Sequence, residues 1–231
     1  MEKENVNKIF QSIAGKYDLM NDLMSFGLHR KWKEKFVDLI DLNLKKKNII
    51  LDLGCGTGDI IFQINNKSKL NSNYLACLVD PNTEMMKHGI KKFKKKNISW
   101  LASYGEKLPF KNNEFDYYTI SFGIRNVNKI NLVLDEAVRV LKPGGKFMCL
   151  EFSKVKSEIL DRLYQIYSQS IPKIGKLVVG KSEPYEYLIK SIKEFYSQEE
   201  LLKLMEKSNF TNCSYKNLNG GIVAIHSGWK I

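Results

Sequence analysis

The stretch Ile49-Ile50-Leu51-Asp52-Leu53-Gly54-Cys55-Gly56-Thr57-Gly58-Asp59-Ile60-Ile61 decides the fold. A short apolar run ends in three glycines at alternate positions, and the apolar spacing Ile60, Ile61, Ile64 follows. That pattern predicts a buried strand, a tight loop and a helix, because glycine tolerates positive φ and lets backbone N–H groups approach a ligand closely. A second buried run, Tyr74 to Val79, ends in Asp80, where a carboxylate can take both hydroxyls of a ribose. The loop is G-x-G-x-G, with Asp59 where the dinucleotide fingerprint would place its final glycine, and no Gly-Lys-Ser/Thr follows, which excludes a P-loop. Asp52 and Asp59 give the loop an acidic lip. A triphosphate would be repelled there and a ligand carrying an ammonium and a sulfonium would be held, which points to S-adenosylmethionine.

Outward from this unit, further strands are predicted at Ile98 to Leu101, Phe115 to Ser121 and Lys146 to Phe152, separated by helical patterns at Met85 to Phe93 and Leu132 to Leu141. Such alternation implies a mostly parallel sheet covered on both faces. After Phe152 the alternation stops for about forty residues of amphipathic helix, with one stripe at Ile159, Leu163, Ile166 and Tyr167 and another at Leu188, Ile192 and Phe195. A helix near Glu199 to Ser208 follows. Two last strands, Asn212 to Leu218 and Ile222 to Trp229, are joined by Asn219-Gly220-Gly221, short enough to make them an antiparallel hairpin. On the N-terminal side, Val6, Ile9, Phe10 and Ile13, then Trp32, Phe36, Leu39 and Ile40, recur at helical spacing around a Met- and aromatic-rich segment from Tyr17 to His29 that reads as a cover.

The 231 residues, 43% hydrophobic and 27% charged, suit one domain with a sizeable core. Lys and Arg number 37 against 25 Asp and Glu, a net charge of +12 that raises nucleic acid and anionic membrane as partners. No apolar run approaches the roughly 20 residues of a spanning helix. Cys55, Cys77, Cys149 and Cys213 form no C-x-x-C pair, which suits small buried thiols of a reduced compartment. No metal site is indicated. His88 lies on a polar face and His226 in a buried strand, so neither marks a site.

Two longer segments carry a resemblance. Tyr17-Asp18-Leu19-Met20-Asn21-Asp22-Leu23-Met24-Ser25-Phe26-Gly27-Leu28-His29-Arg30-Lys31-Trp32 and Arg139-Val140-Leu141-Lys142-Pro143-Gly144-Gly145-Lys146-Phe147-Met148-Cys149-Leu150-Glu151-Phe152-Ser153 resemble the two signatures of the ubiquinone/menaquinone biosynthesis C-methyltransferases, a family of class I S-adenosylmethionine-dependent methyltransferases. Ile120-Ser121-Phe122-Gly123-Ile124-Arg125-Asn126-Val127 is similar to the family's segment after the fourth strand, and the likeness runs on to Gly220-Gly221-Ile222-Val223-Ala224-Ile225-His226. The resemblance implies an α/β fold: a Rossmann-like, seven-stranded, mostly parallel sheet with a C-terminal antiparallel hairpin and a helical insertion after the fifth strand. One domain, 1–231, would carry an N-terminal helical cap (1–45) and an insertion (154–196) that serves as substrate lid or dimer interface.

Carried over by position, the cofactor contacts fall on Thr57, Asp80, Tyr104, Gly105 and Ser121, to which the loop's own chemistry adds Asp52, Gly54 and Gly56. Where family members commonly have Asn-Ala or a similar small polar pair, this chain has Tyr104-Gly105, which keeps a backbone contact and opens the way to ring stacking on adenine. The implied reaction is methylation of a ring carbon in a polyprenyl benzoquinol or naphthoquinol. Because carbon is a poor nucleophile, the ring needs phenolate character, and Arg125 is the expected stabiliser. A guanidinium is already protonated at any working pH and has no site to accept the proton, so a water held by Arg125 and Asn126, or His29 or Tyr17, is the expected acceptor. The stripes from Ile159 to Phe195, closed by Met20 to Met24, read equally as an apolar trench for the isoprenoid tail and as a dimer interface or ordinary core, and the two are compatible.

Expected partners are the quinol lipid, a peripheral anionic membrane surface, a quinone-biosynthesis complex and a second copy in a homodimer, with no nucleic acid. Heavy Lys and Asn usage inclines toward the matrix side of the mitochondrial inner membrane, with bacterial cytoplasm as the alternative. Rival readings are an RNA or other small-molecule methyltransferase of the same fold, and a cofactor-binding scaffold of a biosynthetic complex.

Overall fold

The computed structural model describes residues 17–42, 46–67, 74–156 and 182–231, with single positions between 158 and 180. The helical spacing at Val6 to Ile13, and the stripe positions Ile159, Leu163 and Ile166, lie outside them. Two helices, α1 (Tyr17–Ser25) and α2 (Leu28–Asp38), precede β1 (Asn48–Leu53) and α3 (Asp59–Asn66). Next come β2 (Tyr74–Val79), α4 (Thr83–Lys92), β3 (Ile98–Leu101), β4 (Phe115–Ser121), a 3-10 turn at Ile124–Asn126, α5 (Ile130–Val140) and β5 (Leu141–Phe152). The chain ends with α6 (Glu183–Glu194), α7 (Gln198–Lys207), β6 (Thr211–Leu218) and β7 (Val223–Trp229).

The seven strands form one sheet in the order β3-β2-β1-β4-β5-β7-β6. The first five are parallel: Leu53 pairs with Val79 on one side and Ile120 on the other. β7 runs antiparallel between β5 and β6. The order reverses at β1/β4, and an open sheet binds ligands in the crevice above such a switch. β1 and β4 are central, and both are buried along nearly their whole length. This is why their sequences are mostly apolar on both faces instead of alternating.

β5 begins five residues earlier than its apolar run. Leu141 already pairs with Phe115, and the register then shifts before Tyr117 meets Lys146. The intervening Lys-Pro-Gly-Gly accommodates this as a bulge, with Gly144 at φ 78. Helix starts follow local chemistry. Asn82 accepts the Met85 N–H ahead of α4, and Ser197 and Glu200 form a capping box on α7. Two clusters fill the faces of the sheet: one packs α2, α3 and α6 against it through Phe36, Ile61, Ile64 and Leu188, the other α5 and α7 through Val133, Leu134, Leu201 and Met205.

The α6 stripe belongs to the first cluster, with Leu188 and Ile192 buried. That part of the sequence-predicted trench is therefore core, because a helix lying on a sheet uses its apolar face against the sheet first. All four thiols are free, Cys55 and Cys149 buried and the other two partly so. His226 is buried on β7 and pairs with the Gln198 carbonyl, while His88 is exposed.

Candidate functional site

The glycine loop sits at the carboxyl end of β1. Gly54, Gly56 and Gly58 have φ of 63°, 55° and 82°, a region closed to most side chains, and the N–H groups of Gly54 and Cys55 donate to Val79 O on β2. The loop lies close to the segment after β4: a Cβ added at Gly54 would stand 3.6 Å from the Gly123 Cα. Phe122, just before Gly123, holds φ 54°, unusual for a bulky residue, and its N–H is tied to Leu150 O. Strain of this kind persists only where the surroundings over-determine it, and it brings the β4 and β1 ends together.

A cavity of about 30 Å³ lies between these segments, lined by Lys33, Asp52, Gly54, Thr57, Asp59, Ser121 and Phe122, among others. Asp52 is 1% exposed; its Oδ1 accepts the Thr119 hydroxyl at 2.7 Å, and its Oδ2 is buried without a partner among the described residues. Burial pushes its carboxyl up to about 7 against the pull of the Thr119 bond, with Asp80 adding a further upward push. Ser121 Oγ is likewise buried and unpartnered. Two orphaned polar atoms on one cavity fit the donor set that S-adenosylmethionine needs.

Asp80 is buried at the end of β2, and burial raises its carboxyl despite two backbone bonds, Gly56 N–H at 2.8 Å and Asn82 N–H at 2.7 Å. Each oxygen retains a lone pair for a ribose hydroxyl. Tyr104 is exposed and Gly105 packs so tightly that a Cβ there would meet Leu53 at 2.5 Å, so this edge stands next to the glycine loop. Of the acidic lip, Asp59 is already satisfied: its Oδ2 takes Lys33 Nζ at 2.8 Å and its Oδ1 the Thr57 hydroxyl at 3.1 Å. Burial works against its ionisation, but Lys33 and then Lys92 outweigh it and hold the carboxyl low. The acidic side chain with an oxygen still free to face the cavity is therefore Asp52.

Arg125 lies within the 3-10 turn, 3% exposed at its side chain. Its Nη1 donates to Glu151 Oε1 at 2.6 Å and to Phe122 O at 2.8 Å, and its guanidinium lies 5.5 Å from the Phe152 ring centre. Burial raises the Glu151 carboxyl, with Arg125 opposing. Arg125 Nε is buried with no acceptor among the described residues. Asn126 Oδ1 accepts the Tyr187 hydroxyl at 2.9 Å. Both residues line a larger groove of about 1040 Å³ that runs past Leu132, Tyr187, Phe195 and Tyr196.

His29 is buried elsewhere. Its Nε2 pairs with Asp22 Oδ1 at 2.9 Å, Asp22 also binds Arg30, and His29 lines neither cavity. Burial, followed by the charge of Lys33, lowers its pKa. Tyr17 opens α1, and its side chain lies outside the described residues. The cover itself is held over the strand ends by Trp32, which donates to Asn219 Oδ1 at 2.6 Å and packs edge-on to Phe152 and at a tilt to Phe122. Phe26 of the cover stacks on Tyr167 of the insertion, centroids 3.8 Å apart.

Sequence reading missed three participants. Glu151 had a signal, a lone acid in the buried run Phe147 to Phe152, since a buried charge demands a partner. Lys33 had one too: it shares the buried helical stripe of His29, Trp32, Phe36 and Val37. Thr119 had none, being one more β-branched residue in a central strand.

Comparison with known proteins gives concordant results. Residues 1–230 match the model of the ubiE/COQ5 methyltransferase family. The ubiquinone/menaquinone biosynthesis C-methyltransferase UbiE of Rickettsia bellii (strain OSU 85-389) is 50% identical over 237 residues, spanning 100% of this chain and 94% of that one. The UbiE protein of Brucella abortus (strain S19) is 44% identical across 98% of this chain and 85% of its own. A SAM-dependent methyltransferase structure from Thermotoga maritima superposes with a TM-score of 0.66 at 20% identity, over 97% and 99% of the two chains, which speaks to the fold.

Proposed function

The chain belongs to the ubiE/COQ5 methyltransferase family, and on that premise we propose that it methylates a ring carbon of a polyprenyl benzoquinol or naphthoquinol, using S-adenosylmethionine. The observation that carries the reading is the junction of Gly54 with Gly123, which sets a cavity with a partnerless Asp52 oxygen against Phe122, whose carbonyl holds the buried Arg125.

S-adenosylmethionine supplies an electrophilic methyl group on a sulfonium. Asp80 would take the ribose hydroxyls, Asp52 and Ser121 the methionyl end, and the Tyr104-Gly105 edge the adenine. Arg125 cannot rotate freely, because Glu151 and Phe122 O fix its Nη1. Its unused donors would meet a phenolate oxygen, and a guanidinium so held stabilises developing charge without reorganising. Glu151 is a positioning residue for Arg125. The phenol proton passes to a water held by Arg125 and by Asn126, which Tyr187 orients. His29, committed to Asp22, packs the cover instead. Trp32, Phe122 and Phe152 keep bulk water from the reacting atoms.

In this reading the cap and the insertion together act as a lid, their contact at Phe26 and Tyr167 lying between them. The tail leaves along the groove past Leu132 and Tyr196, both more than a third exposed. The exposed lysines Lys87, Lys91, Lys92 and Lys94 to Lys96 would attract an anionic membrane holding the lipid. Relatives from Rickettsia and Brucella are bacterial, which agrees with the bacterial-cytoplasm alternative and adds nothing for mitochondria. The test is transfer of radiolabelled methyl to a short-chain demethylated quinol kept reduced, with bulk RNA as competitor. Label is expected in the quinol, and label found only in RNA overturns the reading.

A further inference from the structure

Lys33 is the only cation lining the 30 Å³ cavity among the described residues, and its side chain is 7% exposed. A lysine is seldom buried without a purpose for its charge. It arrives from the cover, on α2, and crosses to Asp59 at the start of α3. A cavity of that size holds about one water molecule, so no amino-acid-sized group enters unless a side chain withdraws. The glycine loop and the strand ends are fixed by backbone bonds and Phe122 by its N–H, whereas Lys33 has a flexible four-carbon stem.

Asp59 can release Lys33. The Lys92 ammonium already stands 3.9 Å from its Oδ1, the Thr57 hydroxyl binds the same oxygen, and the N-terminus of α3 favours a negative charge there. The ligand read from this site carries three charges. Asp52 answers the cationic ones, and among the described residues no other cation on the cavity wall answers the carboxylate, to which Ser121 can offer only a neutral hydroxyl. We propose that Lys33 binds the methionyl carboxylate of S-adenosylmethionine, exchanging Asp59 for it, so that the helical cap contributes directly to cofactor selection. This rests on the S-adenosylmethionine reading of the site. A charged hydrogen bond of this kind corresponds to roughly a 10- to 100-fold preference for a ligand bearing the carboxylate.

The test is calorimetric binding of S-adenosylmethionine and of decarboxylated S-adenosylmethionine to the wild type, Lys33→Met and Lys33→Arg. The wild type is expected to prefer the carboxylate-bearing ligand by about 10- to 100-fold, Lys33→Arg to keep much of that preference, and Lys33→Met to bind both about equally. The double variant Lys33→Met/Asp59→Asn removes the ion pair as a unit, guards against a misfolded single variant, and should show the same loss. A preference retained in the Met variants overturns the role of Lys33 while leaving the cofactor reading intact. Failure of the wild type to bind either ligand overturns both.

Discussion

Lowering the pH from 7 to 5 should weaken S-adenosylmethionine binding through one residue, Asp52. Its carboxyl stands at about 7 because burial outweighs the Thr119 bond. A ligand with an ammonium and a sulfonium binds the ionised form, so binding must first release a proton. With a pKa of about 7, roughly half of the population is ionised at pH 7 and about 1% at pH 5, which makes the expected loss about 50-fold across those two units. Asp59, held low by Lys33 and Lys92, stays ionised across this range and does not contribute.

The assay is calorimetry at pH 5, 6 and 7 in two buffers of different ionisation enthalpy, which counts the protons released. Asp52→Asn should flatten most of the profile and bind at pH 7 about as weakly as the wild type at pH 5. For the unliganded protein the sign reverses. A folded-state pKa raised above the unfolded value means the native state binds more protons between about 4 and 7, so Asp52 makes stability fall as pH rises through that window. Asp52→Asn should therefore raise the Tm at pH 8 while it harms binding. Wild-type affinity that changes less than about threefold between pH 5 and 7, or an Asn variant that keeps the full slope, would refute the reasoning.

Glu151→Gln leaves the buried Arg125 charge without its counter-ion and should cost about 3–5 kcal/mol of stability in urea titrations. Arg125→Lys should lower turnover more than cofactor affinity, and a fully active Lys variant would remove the phenolate-stabilising role. Asp80→Ala should weaken S-adenosylmethionine binding by roughly 10- to 100-fold and also lower the Tm, since the Gly56 and Asn82 N–H groups lose their acceptor. Gly89→Ala puts a methyl 2.4 Å from Trp100 and 2.7 Å from Thr57 O, so overpacking of about 1–3 kcal/mol should appear in thermal melts together with weakened cofactor binding. His29→Gln should lower the Tm and leave kcat within about threefold of wild type, because a side chain tied to Asp22 supports the cover; a hundredfold fall in kcat would return it to the chemistry.

The sequence by itself determined the sheet and the cofactor loop. Continuous apolar strands separated by 3.6-periodic helices leave little choice but a parallel sheet covered on both faces, and the register that joins Leu53 to Val79 and Ile120 then sets Asp80 and Ser121 at one edge. Glycines at alternate positions needed no tertiary information, since positive φ is a local property. Which charges remain free was decided only by the fold. Asp59 and Asp52 look alike in sequence, yet one is paired with a lysine 26 residues away and the other keeps an oxygen without a partner. Arg125 reads as a phenolate stabiliser with no partner named, and only the fold shows β5 bringing Glu151 to 2.6 Å. The amphipathic stripe of α6 reads equally as trench or core, and its packing against the sheet makes it core. Pairing of charges and choice of face depend on chain segments far apart in sequence, so periodicity can mark a residue as buried but cannot say what it is buried against.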